Sequence, residues 1–174
     1  CCCFATWFPV MTTRALFFGS IGTLVETSEL QRRSFNAAFE SAGLPLRWSR
    51  ELYQRLIQTP GGKARLANAL SDQEDAPSPE QLHRMKTQIF VESLRRDEDL
   101  ELRPGVRQLS REALDAGWTL ALATTTEPET IAALVERFGD QLQIARWSAV
   151  LDRTYVREPK PGPDIWLQCA SVVG

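Results

Sequence analysis

The side chains with chemistry to offer fall in four short stretches: GSIGT at 19–23, GGKAR at 61–65, the threonines Thr124, Thr125 and Thr126, and KPGPDIW at 160–166. They supply hydroxyls, two lysines (Lys63 and Lys160), one arginine (Arg65) and one carboxylate (Asp164). GSIGT holds no acid or base, since Gly19 has no side chain and Ile21 can neither donate nor accept a proton. Ser20 lies between them, where strand alternation points it away from the crevice. The only histidine, His83, lies beside Leu82 in a helical pattern and reads as solvent-facing. Of the four cysteines, three are the first three residues and Cys169 reads as core, so neither a disulfide framework nor a zinc spacing is present. Taken one at a time, these stretches also have plain readings. Thr124 caps a helix or serves a ligand, GGK stops one helix and restarts another, and Lys160 before Pro161 is a surface lysine.

The elements that must position these residues alternate. Ala15 to Phe18 is an apolar run of strand length, with Gly19 and Gly22 supplying a turn. Phe35, Ala38, Phe39 and Ala42 then share a helical face that ends at Gly43 and Pro45. Ser49 caps a second helix with Leu52, Leu56 and Ile57 inward, stopped by Pro60-Gly61-Gly62. A third helix runs from Lys63 to about Leu70. Ser78, Pro79 and Gln81 form a capping box before a fourth, with Leu82, Met85 and Ile89. After the charged connector RRDEDLELRPG comes a helix with Val106, Leu109 and Ala113. Thr119 to Ala123 is a second strand. Pro128 opens a helix whose stripe is Ile131, Leu134, Val135 and Phe138, ended at Gly139, and Leu142 to Ala145 is read as a third strand. This alternation predicts an α/β fold with a parallel sheet, whose ligands bind beyond the carboxyl ends of the strands. The loops after Phe18 and Ala123 then face one crevice.

With 43% apolar residues, 24% charged residues and a formal net charge of −2, the chain has no basic excess to suit nucleic acid or an acidic membrane. It has no apolar run of eighteen residues. A small-molecule partner and a cytoplasmic location are the expectations. Residues 1–10 lack the features of a secretory signal and precede Met11, so they read as an extra segment. Gly174 ends the chain in a helix and its cap.

Taken in order, ETSELQRRSFNAAFESAGL (26–44), WSRELY (48–53), GGKAR, ALATTT (121–126) and KPGPDIW resemble the haloacid dehalogenase superfamily. The branch they resemble is the β-phosphoglucomutase-like one and, within it, the CbbY-type sugar-phosphate phosphatases. The resemblance implies a Rossmann-like core, residues 11–28 plus 101–174, with an inserted four-helix cap, residues 29–100. In that family an aspartate at the end of the first strand attacks phosphorus and a second, two residues on, is the general acid and base. Magnesium neutralises the phosphoryl charge. The two aspartate positions fall on Gly19 and Ile21, so the chemistry and the metal ligands are expected to be absent and no cofactor is expected. The phosphate grip is expected to persist in Thr124 and Lys160, and a substrate loop in Gly61, Gly62, Lys63 and Arg65. Glu26 falls at the family's acidic position and reads as support for the loop or hinge.

These matches imply a scaffold that binds sugar-phosphate-type ligands without turnover, or else a weak or altered phosphomonoester hydrolase using another carboxylate. The family's acidic motif IV would lie beyond Gly174, so the core is expected to be truncated. Strand Ala15 to Phe18 would then be an unpaired edge, open to a protein partner or to self-association.

Overall fold

The computed structural model describes residues 14–59, 61–71, 73 and 75–174. The segment read as extra, the Met11 start and Pro60 lie outside them. Strands β1 (Ala15–Phe18), β2 (Thr119–Ala123) and β3 (Ala149–Leu151) form a parallel sheet in the order β1-β2-β3. Phe18 pairs with Leu122 and Ala123 with Leu151. Alternation along β2 divides the interior. Leu120 and Leu122 join Phe18, Phe138 and Trp147 in one apolar cluster, while Ala121 and Ala123 join Ile165 and Cys169 in another. Parallel strands need covering on both faces. Helices α5 (Val106–Asp115) and α6 (Pro128–Leu142) serve one face and α7 (Asp164–Val173) the other. Among the described residues β1 is an edge of the sheet.

Between β1 and α5 stand α1 (Ser28–Ser41), α2 (Arg50–Leu56), α3 (Gly62–Ala69) and α4 (Pro79–Arg96). They enclose an apolar centre of their own. Phe35 lies 4.7 Å from Trp48 and 6.0 Å from Tyr53, and Phe39 meets Trp48 edge-on at 4.9 Å. Asn36 holds Trp48 in place, accepting from its N–H at 2.8 Å and donating to its carbonyl at 3.0 Å. Truncating a buried ring such as Phe35 to alanine costs about 3–5 kcal/mol. Helix α4 bridges the two regions, with Leu82 in this aromatic centre and Phe90, Val91 and Leu94 in the cluster against the sheet. Arg137 of α6 fastens its C-terminal end by donating to the carbonyls of Leu94, Arg95, Asp97 and Leu100.

Local signals placed most ends correctly. Ser49 Oγ accepts from Leu52 N, and Ser78 with Gln81 forms the reciprocal capping box. Four details differ. Leu142 to Ala145 is not a strand: α6 passes through Gly139 to Leu142, whose carbonyl accepts from Ser110 Oγ and Trp147 Nε1, and Ile144–Arg146 is a 3-10 turn. The third strand is Ala149–Leu151. Leu109 is exposed, the inner face of α5 being Val106, Ser110 and Ala113. In α2 the buried residue is Tyr53, with Leu52 and Leu56 half-buried. Among the described residues no helix is long and apolar enough to cross a membrane.

Candidate functional site

Beyond Phe18 the chain turns on itself. Thr23 N and Leu24 N donate to Ser20 O, Gly22 N donates to Val25 O, and Gly22 takes the left-handed φ of 79° that favours glycine. The β1–β2 register, continued two residues, sets Ser20 beside Thr124. Their hydroxyls are 2.7 Å apart, and Thr126 Oγ1 closes a triangle at 3.0 Å from Ser20 and 2.9 Å from Thr124. Ser20 therefore does not point away as strand alternation suggested; it sits 2% exposed against the threonine loop. Thr126 N also donates to Thr124 Oγ1 at 3.2 Å, and Thr124 N to Leu151 O at 3.0 Å. Thr124 thus ties the loop together at the strand ends; its hydroxyl accepts from Thr126 N, ahead of α6, and not from an amide of that helix's first turn, so it does not cap the helix.

Lys160 reaches the same end of the sheet. Its Nζ donates to Ala123 O at 2.8 Å and lies 4.1 Å from the Trp166 ring centroid. Burial lowers its pKa below the ordinary lysine value, against an opposing pull from Cys169. The bare side of Gly19 faces this ammonium: a Cβ built there would lie 3.9 Å from Lys160 Nζ and 2.8 Å from Thr23 Oγ1. Ile21 is half-buried against the core, bridged to Val25. No carboxylate comes from position 19 or 21, and Lys160 is in no ion pair with a described residue. Glu26 is occupied, accepting from Ser28 N and Ser28 Oγ and pairing with Arg103 at 3.2 Å.

A second cationic group gathers among α2, α3 and α4. Arg65 donates to Leu56 O and Thr59 O, with its guanidinium 5.8 Å from the Tyr53 ring centroid. Gly62 lies close under His83: a Cβ there would be 2.9 Å from His83 Nε2, so a larger residue would push the ring aside. His83 is half-buried rather than solvent-facing. Burial and the charges of Lys86, Lys63 and Arg65 lower its pKa to about 4. Lys86 is buried between Phe35 and Phe90, and burial, then Arg65, lowers its pKa to about 8. Sequence reading placed His83 in solvent and gave Lys86 no role. The available signal was the spacing of Leu82, Lys86 and Phe90, which puts a lysine on a buried stripe. Lys63 and His83 line a cleft of about 590 Å³ that Glu127 and Glu129, at the start of α6, also line. A larger depression of about 800 Å³ lies by α5 and α6, where Arg103 and Arg137 are already bonded to Glu26 and to backbone carbonyls.

A sequence profile of the haloacid dehalogenase-like hydrolases matches residues 13–174. The chain belongs to that family. Protein CbbY of Cereibacter sphaeroides is 39% identical over 155 residues, covering 87% of this chain and 67% of that protein. The crystal structure of CbbY from Rhodobacter sphaeroides in complex with phosphate superposes with a TM-score of 0.77 at 37% identity, over 93% of this chain and 73% of that one. A mutant of that protein, in complex with xylulose-(1,5)bisphosphate, matches with a TM-score of 0.76. This chain spans about two thirds to three quarters of the length of the CbbY proteins it matches.

Members of this hydrolase family are implied to use magnesium, which takes hard oxygen ligands, chiefly carboxylates. Positions 19 and 21 offer only backbone carbonyls, and among the described residues no group of three or more His, Cys, Asp or Glu is placed to hold a metal ion. The described residues do not fit the ion.

Proposed function

We propose that this chain binds a small phosphorylated metabolite of the sugar-phosphate type and does not hydrolyse it through an aspartyl phosphate. The observation that carries the reading is the bare face of Gly19 turned toward Lys160. A partly buried ammonium without a carboxylate beside it calls for an anion. Thr124 and Lys160 take the phosphoryl group at the strand ends. Helices α1 to α4 act as a cap over the core, with Gly61, Gly62, Lys63 and Arg65 as the loop that meets the far end of the ligand. The phosphate and sugar bisphosphate bound by the CbbY structures support this ligand class. Two cationic groups, one at the strand ends and one around Lys63 and Arg65, suit a ligand carrying two anionic ends.

Calorimetric titration of the chain with xylulose-1,5-bisphosphate tests the reading. Saturable binding that Lys160→Ala abolishes is expected. Binding that survives in Lys160→Ala, or no binding by the unmodified chain, would remove the strand-end site from the account.

A further inference from the structure

Gly19 is more than a position from which a side chain is missing. The three atoms nearest to a Cβ built on it are Oγ1 and Cβ of Thr23, at 2.8 and 3.5 Å, and Nζ of Lys160, at 3.9 Å. Both polar neighbours have donors to give. An ammonium carries three N–H groups, and Lys160 directs one of them to Ala123 O. Thr23 is exposed, and no described residue bonds its hydroxyl. Space without a side chain, beside an ammonium and an uncommitted hydroxyl, suits one oxygen of an oxyanion.

We propose that the bare face of Gly19 is part of the ligand site. One oxygen of a phosphoryl group, or of inorganic phosphate, rests against the glycine Cα and accepts hydrogen bonds from Lys160 Nζ and Thr23 Oγ1. The inference rests on the reading of Lys160 as phosphate-binding, and it makes Gly19 a specificity-determining residue. A methyl group there fills the seat and displaces the Thr23 hydroxyl. A carboxylate there also pairs with Lys160 and repels the ligand.

The test is calorimetric titration with inorganic phosphate, without added metal, of the full chain and its Gly19→Ala, Gly19→Asp, Thr23→Val and Lys160→Ala variants. Thermal melts serve as the folding control. The unmodified chain should bind and Lys160→Ala should not. Gly19→Ala and Thr23→Val should each bind about tenfold or more weakly, the loss expected for a hydrogen bond to a charged group. Gly19→Asp should not bind measurably. Thr23→Val alters only an exposed side chain, so it decides the matter even if a Gly19 variant fails to fold. Affinity unchanged in Thr23→Val and in the folded Gly19 variants, but lost in Lys160→Ala, overturns this inference alone. Absence of binding by the unmodified chain overturns it together with the reading of Lys160.

Discussion

Replacing Lys86 with methionine should stabilise the chain. Lys86 is 6% exposed, with its ammonium 4.8 Å from the Phe35 ring centroid and 4.9 Å from that of Phe90. Burial, then Arg65, lowers its pKa from 10.5 to about 8. Each tenfold change in proton affinity is worth about 1.4 kcal/mol, so keeping the charge in place at neutral pH costs folding about 3 kcal/mol. The two ring contacts return about 1–2 kcal/mol. Methionine keeps the length and apolar contacts without the charge. The variant should therefore unfold in urea with about 1–2 kcal/mol more stability at pH 7 than its parent. The pH dependence carries the same signature. With the folded pKa below the unfolded one, the unfolded chain holds more protons between about pH 8 and 10.5, so stability rises with pH across that window. Below about pH 8 the whole penalty is present. The parent should show this rise and Lys86→Met should lack it. A variant less stable than its parent at pH 7, or one with an unchanged slope above pH 8, would show that the Lys86 ammonium carries no such burial cost.

His83 gives a complementary window on the acid side. Its folded pKa of about 4 lies below the ordinary 6.5, so the unfolded chain takes up the proton first and stability should fall as pH drops from 6.5 to 4. Thermal melts of His83→Gln should show that part of the profile flattened. In Gly62→Ala the new Cβ would lie 2.9 Å from His83 Nε2, so the ring must move, and a loss of about 1 kcal/mol is expected in urea unfolding. Unchanged stability there would place His83 elsewhere. Arg137→Ala removes the donor to the carbonyls at the end of α4, and amide exchange over residues 94–100 should quicken while that of β2 stays protected.

What could be read from the sequence was what short-range chemistry decides. The caps at Ser49 and Ser78 rest on hydrogen bonds within three residues, and β2 is an apolar run between Gly117 and the threonines. Leu142 to Ala145 looked like a strand because it is mostly apolar, yet its role follows from partners outside it, Ser110 far back in the chain and Trp147 just beyond, that satisfy the helix end. Ala149–Leu151 is too short for alternation to reveal. The pairing of Ser20 with Thr124 depends on strand register across 104 residues of sequence, which no local pattern encodes. The burial of Lys86 and His83 follows from the packing of α4 on α1 and α3, although a lysine midway between Leu82 and Phe90 was a visible cue.

If a phosphate grip persists where the family's aspartates do not, the chain binds sugar phosphates without turning them over. A steady-state phosphatase assay of the chain on a small panel of sugar phosphates, with and without magnesium, tests it most directly. No turnover above the rate of a Lys160→Ala control is expected under either condition. Magnesium-dependent turnover by the unmodified chain would contradict it and would mean that a carboxylate outside positions 19 and 21 carries the chemistry.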